Sequence, residues 1–270
     1  MDGIDVSNNQ REVDWAAVAA KGAKFAFLRA TEGGDLEDEF YQRNRSEARK
    51  HGIVVGAYHF GFPTGGDAEA EALHFLRVAT PQSVDLRPAL DIEKNPGKLS
   101  PAAMADWIGA WLGVVESHLG VKPILYTYPD FWKSQVGNTK RFSDHALWLA
   151  SYGKNDGNQH PVEPVGGWTQ INLHQFTSAG RCDGVHGDCD LNALNVSLDE
   201  LLMKPPQGDG PTTRYPNVSR FWLWLRWRLG EGEFKVHVKD PAVRPKVQEH
   251  IPLGWWTGLK TFLAARKKER

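Results

Sequence analysis

The chain has 270 residues, with 32 Lys+Arg against 33 Asp+Glu and a formal net charge of −1; 41% of its residues are hydrophobic and 24% charged. These proportions fit a globular protein long enough to bury a substantial core, and they exclude disorder along the whole chain. No apolar run approaches the ~18 to 20 residues that cross a bilayer, so a transmembrane protein is not expected.

The N-terminus, MDGIDVSNNQ, lacks the basic start and apolar stretch of a signal peptide, so synthesis in a cytoplasm is expected. Asp5 ends a short first strand, GID. Asp14 to Ala20 reads as a helix and Phe25 to Ala30 (FAFLRA) as a strand, followed by a helix over Leu36 to His51 and the strand Ile53 to Phe60 (IVVGAYHF). A helix over Asp67 to Val78, the strand Arg87 to Glu93 (RPALDIE) and a helix over Ser100 to Leu119 continue the alternation. The last of these opens on Ser100-Pro101, an N-cap followed by proline at the first helical position. Beyond residue 120 helices thin out, and Lys122 to Thr127, His145 to Tyr152 and Ile171 to Thr177 follow more directly as strands. Strands separated by helices predict an α/β architecture: a modified (β/α) barrel, regular in its first half and strand-rich in its second.

The near-zero net charge hides a division. Residues 1–211 carry 19 Lys+Arg against 28 Asp+Glu, a balance of −9, whereas 212–270 carry 13 against 5, a balance of +8. Between them, MKPPQGDGPTTRYP (203–216) has four prolines and two glycines, which favour a solvated linker. The predicted organisation is a barrel over 1–202, a linker over 203–216 and a small basic Trp-rich module over 217–270.

In a parallel α/β barrel the C-terminal ends of the strands carry the chemistry. Asp91 and Glu93 end one such strand, just before the turn residues Asn95, Pro96 and Gly97. Residues two apart point to the same side of a strand, about 6.6 Å apart at ~3.3 Å rise per residue, while Ile92 points into the opposite layer. Two nearby carboxylates cannot both ionise freely, so one keeps a raised pKa and can act as a general acid, as glycosidic bond cleavage requires. By itself a D-x-E is more often a solvated strand end or a salt-bridged one.

Its company changes that weight. GIDVS (3–7), FAFLRATEG (25–33), GAYHF (56–60), ALDIE (89–93), ILYT, LWLASY, LHQFTS and CDLN occur in order, and together they resemble glycoside hydrolase family 25, the N-acetylmuramidase lysozymes, from Gly3 to about Leu202. The resemblance implies a lysozyme, endolysin-like, that hydrolyses the β-1,4 bond between N-acetylmuramic acid and N-acetylglucosamine in bacterial peptidoglycan. It implies that Glu93 is the general acid and then the base. Asp91 would stabilise the developing positive charge or orient the substrate's acetamido group, and Asp5 and Asp190 would complete a ring of four acids. Asp188 competes with Asp190, but only Asp190 lies in DLN. The sequence leaves retention or inversion of the anomeric centre open.

Tyr58, Tyr126, Trp148 and Tyr152 are candidate sugar-binding aromatics, with Trp148 equally suited to the core. Arg29, Glu32 and Gln175 either touch substrate or satisfy one another. No metal or organic cofactor is expected: the ten histidines are scattered without ligand spacing, and His59, His74, His174 and His186 read as structural. No G-x-S-x-G or phosphate-binding loop is present. Cys182 and Cys189, the only cysteines, bracket a Gly-rich loop beside Asp190 and form a possible disulfide in an oxidising compartment.

In the basic segment Trp222, Trp224 and Trp227 interleave with Arg220, Arg226 and Arg228, and Trp255 and Trp256 precede a basic tail. Cell-wall binding, through aromatic faces and cations for anionic wall polymers, is the leading expectation. Docking on a protein such as a virion component, an anionic membrane surface and a packed appendage are the alternatives; nucleic-acid binding has no supporting motif. The whole chain then acts on the bacterial wall after release from a host cytoplasm, or as a virion-associated wall hydrolase. The competitor from another class is an inert wall-binding protein on the same barrel, against which the intact set of four acids argues.

Overall fold

The structure is a computed structural model that describes residues 1–204; the predicted linker from 205 onward and the 217–270 module lie outside the described residues. The elements run β1 (Gly3–Val6), α1 (Trp15–Ala20), β2 (Phe25–Glu32), β3 (Leu36–Glu37), α2 (Tyr41–Lys50), β4 (Val54–Phe60), α3 (Ala68–Ala79) and β5 (Ala89–Asp91). They continue with α4 (Pro101–Leu119), β6 (Ile124–Thr127), α5 (Pro129–Gln135), β7 (Leu147–Ala150), β8 (Leu173–Gly180), β9 (Cys189–Leu194) and α6 (Leu198–Leu201).

Strands β1, β2, β4, β5, β6, β7 and β8 are hydrogen-bonded in that order, each parallel to the next, and β9 closes the ring antiparallel to both β8 and β1. The result is a closed eight-stranded mixed barrel, as the alternation of elements predicts. Helices cross over between neighbouring strands as far as β7, and none lies between β7 and β8 or between β8 and β9.

Local chemistry sets the helix ends. The Asp14 carboxylate accepts from the amides of Ala16 and Ala17 at 3.0 and 3.2 Å and starts α1. Ser100 accepts from Ala103 at 3.3 Å with Pro101 next to it, and Gly120, at φ 70°, ends α4 in the left-handed region. The predicted helix over Leu36 to His51 begins only at Tyr41, because Leu36 and Glu37 pair antiparallel with Glu32 and Thr31 as β3. Asp38 forms the turn between them, accepting from the Phe40 amide at 3.0 Å and from the Asn8 amide at 2.7 Å.

Alternation along the strands sorts side chains into two layers. Phe25, Phe27, Ala89, Ile124, Tyr126, Trp148, Ala150 and Leu173 fill the barrel interior. Ile4, Ala26, Leu28, Leu90, Ile92, Leu125, Leu147 and Leu149 pack outward with Phe75, Trp107 and Trp111 of the surrounding helices. The interior is crowded enough to dictate glycine: a Cβ at Gly3 would lie 2.5 Å from the Phe25 carbonyl, and one at Gly56 2.4 Å from the Phe27 ring. Met203, assigned to the linker by composition, is buried and its amide donates to the Asp85 carbonyl at 2.8 Å, so the packed structure runs at least that far.

Candidate active site

The same alternation decides which polar residues enter the barrel. Asp5 follows Gly3, Asp91 follows Ala89 and Gln175 follows Leu173, each two residues beyond an interior position and close to a strand end. Glu93 lies two residues past β5. The ladder continues through Ile92, whose amide donates to the Tyr126 carbonyl at 3.0 Å while its side chain packs outward, so Glu93 follows Asp91 on the same side, half-buried.

Asp5 is the centre of a hydrogen-bonded network. Its Oδ2 accepts from Gln175 Nε2 at 2.9 Å and from Asn192 Nδ2 at 2.7 Å. Gln175 Oε1 accepts in turn from the phenols of Tyr126 and Tyr152, at 2.9 and 2.7 Å, and Asn192 Oδ1 from the Trp148 indole N–H at 2.8 Å. Each of the three side chains, Asp5, Gln175 and Asn192, therefore makes at least two hydrogen bonds, which fixes the carboxylate in place. Asp190 stands opposite Asp5 across the β1–β9 pair.

Burial raises all four acids, and neighbouring carboxylates add to it at Asp91, Glu93 and Asp190. Burial pushes Asp5 up to about 6 against the hydrogen bonds of Asn192 and Gln175, and burial followed by Asp5 and Glu93 pushes Asp190 up to about 8. Asp91 is held well above the usual carboxylate range by burial, then by Glu93 and Asp5, with Arg29 and Lys94 opposing. Glu93 is raised by burial and opposed by Lys94. Among the described residues Asp91 Oδ1 is buried without a hydrogen-bond partner. No group of three His, Cys, Asp or Glu side chains among them has a geometry that holds a metal ion.

The predicted aromatics divide. Trp148, suited by sequence to site or core, belongs to the core: it is 2% exposed, stacked on Phe27 at 4.5 Å and met edge-on by Tyr126 at 4.8 Å. It forms a floor below the acids, with Tyr58 edge-on to it at 6.4 Å. Tyr152 is only partly buried. Arg29 and Glu32 satisfy each other at 2.9 Å, with Asp38 taking the Arg29 Nε–H at 3.1 Å. His59 is wholly buried between Thr31, at 2.8 Å, and Glu71, at 2.9 Å, and His174 bonds the Ser151 carbonyl at 2.9 Å. Cys182 and Cys189 are buried free thiols that donate to the Asp183 carbonyl at 3.6 Å and the Asp190 carbonyl at 3.7 Å.

Sequence reasoning missed Asn192, although its spacing from Asp190 in DLN places both on one side of β9. It also missed Asp38 and Asn8, which with Glu32 hold Arg29; nothing in their local sequence points to Arg29. Tyr128, 37% exposed just beyond β6, was missed as well, and its phenol is raised by burial and then by Glu93.

Paired acids above an aromatic floor, at the mouth of a closed α/β barrel, define a class, the glycoside hydrolases. The particular family is fixed by comparison: a family model described as "Glycosyl hydrolases family 25" matches residues 4–185, and the chain belongs to that family. It is 32% identical to Lysozyme M1 of Streptomyces globisporus, over 74% of this chain and 69% of that protein. It is also 32% identical to YegX of Escherichia coli K12, an uncharacterised protein, over 74% of this chain and 71% of that one. The crystal structure of the bacterial lysozyme from Streptomyces coelicolor superposes with a TM-score of 0.68 at 30% identity, covering 74% of this chain and 94% of that one. Among the described residues no helix is long and apolar enough to cross a membrane.

Proposed function

We propose that the barrel is an N-acetylmuramidase that hydrolyses the β-1,4 bond between N-acetylmuramic acid and N-acetylglucosamine in bacterial peptidoglycan. The observation that carries this reading is the pair Asp91 and Glu93 at one strand end, both raised, with Asp5 and Asp190 beside them. The name of the Streptomyces globisporus relative, a lysozyme, supports the substrate.

Glu93, half-buried with its carboxyl raised, carries the proton that the leaving glycosidic oxygen takes as the C–O bond breaks. Asp91 is more deeply buried, and burial followed by Glu93 and Asp5 raises its carboxyl, which disfavours a bare carboxylate facing a sugar cation. Its unpartnered Oδ1 is suited instead to accept from the N–H of the substrate's acetamido group. So oriented, the acetamido oxygen bonds the anomeric carbon. Glu93, now a carboxylate, takes a proton from the water that opens that intermediate, and the acid is restored. Asp5, raised only to about 6, keeps negative charge near the site at neutral pH and so favours the protonated form of Glu93.

The 217–270 module we assign to wall targeting, from its interleaved Trp and Arg residues. An endolysin released into the wall, or a hydrolase carried on a virion, fits a catalytic barrel joined to such a module. Oxidation of Cys182 and Cys189 outside the cell would tether the loop that leads into Asp190. The function is tested by digesting purified walls and identifying the new reducing ends: muramic acid ends are expected, and glucosamine ends would refute the assignment. Targeting is tested by sedimentation with walls, where a chain ending at Pro211 is expected to stay in solution; unchanged sedimentation would remove the targeting role.

A further inference from the structure

Lys94 directly follows Glu93 and is exposed. Its ammonium lies 4.7 Å from the ring centroid of Phe60, the last residue of β4, and Phe60 is paired with Asp91 across the β4–β5 ladder. A cation is attracted to an aromatic face by about 0.5–1 kcal/mol at exposed sites, enough to favour one position of a flexible side chain. The charge is thereby held at the mouth of the barrel, beside the two acids.

Two cations act on Asp91, and they differ in what else they touch. Arg29 is committed to Glu32 at 2.9 Å and Asp38 at 3.1 Å. Lys94 has no ion pair with a carboxylate among the described residues. An uncommitted cation therefore sits next to Glu93 at a mouth where Asp5, Asp91, Glu93 and Asp190 cluster. Such a mouth repels an anionic glycan unless one positive charge meets it.

Muramic acid differs from glucosamine by a lactyl ether that ends in a carboxyl group, either free or extended by a peptide with carboxylates of its own. We propose that Lys94 is a specificity-determining residue that pairs with a carboxylate on the muramic acid side chain, so that the site favours an anionic glycan over its uncharged amide. This inference rests on the muramidase reading.

The test uses the full chain as wild type, Lys94→Met and Lys94→Arg. Methionine keeps most of the length of the side chain, with an apolar tip that can lie against Phe60, but removes the charge. The substrates are wall glycan stripped of peptide, the same glycan capped as methylamides, and peptide-bearing glycan with and without amidation of its carboxylates. The quantity read is the ratio of kcat/KM for each acid form to that of its amide. Any effect of Lys94 on Glu93 itself acts on both forms and cancels.

The wild type is expected to favour an acid form about fivefold, the size of a partly exposed charge pair. Lys94→Arg is expected to keep most of that preference, and Lys94→Met to bring the ratio close to one. A preference confined to the stripped glycan identifies the lactyl carboxylate; one confined to the peptide-bearing glycan identifies the peptide's. The proposal is overturned if the wild type shows no preference in either pair, or if Lys94→Met retains it. If the wild type cleaves none of these glycans, the muramidase reading itself falls, and this inference with it.

Discussion

Asp5 and Asp190 occupy one rung of the antiparallel β1–β9 pair, so two carboxylates face the same barrel interior from directly opposite positions. Residues so placed have Cα atoms about 4.5–5.5 Å apart, and like charges there are destabilising. The antiparallel return of β9 is what creates the rung; an eighth parallel strand would present its acid at a different height.

That rung predicts how stability depends on pH. Both acids have native pKa values above the ordinary 3.8, at about 6 for Asp5 and about 8 for Asp190. The native state therefore binds more protons than the unfolded chain between those limits, and stability falls as pH rises. Their contribution is fully present below about pH 4 and is lost as pH passes 6 and then 8. Urea midpoints measured from pH 4 to 9 are expected to fall for the wild type and to fall less for Asp190→Asn. An equal fall in both would show that the rung does not govern this dependence.

Gln175 is the hub of the polar network, bonded to Asp5, Tyr126 and Tyr152. Gln175→Leu removes one of the two donors to Asp5 and leaves two phenols without their acceptor. The expected cost is about 1–3 kcal/mol by chemical denaturation, because buried polar groups lose their partners. Asp5 is expected to titrate above about 6, as followed by carboxyl NMR, since the hydrogen bond from Gln175 lowers it.

Trp148 is a structural floor, and its substitutions are expected to act on stability. Trp148→Ala empties a fully enclosed site and is expected to cost about 3–5 kcal/mol. Trp148→Phe keeps an aromatic face against Phe27 but leaves Asn192 Oδ1 without its donor, so a smaller loss is expected. Thermal and urea unfolding of the two variants separate these outcomes.

Arg29 is held between Asp38 and Glu32. Arg29→Met leaves Asp38, whose side chain is 1% exposed, as an unpaired buried charge, and the expected loss is about 3–5 kcal/mol. Adding Asp38→Asn is expected to recover part of it, and a double-mutant cycle measures the coupling.

Much of this was legible in the sequence, for identifiable reasons. The β-branched and aromatic runs of β2 and β4 and the capped, Pro-started α4 announce themselves locally, and so does the shared direction of Asp91 and Glu93. What was not legible depends on contacts distant in sequence. Leu36 and Glu37 have no local signal against a helix; they become β3 because the edge of β2 is available to them. The polar β9 carries its strand character through pairing on both sides, and Asn192 acquires its role from Asp5, 187 residues earlier. Trp148 has alternating neighbours compatible with either layer, and only barrel closure places it beneath Tyr126 and Tyr58.

The central claim is that Glu93 is the proton carrier of a glycosidase that cuts after muramic acid. It is tested most directly by counting new muramic acid reducing ends released from purified walls by the wild type and by Glu93→Gln, with circular dichroism showing that both are folded. A loss of about 10²- to 10⁴-fold in rate is predicted for the variant, the usual worth of a general acid–base group. Equal release by the two proteins would contradict the assignment of Glu93.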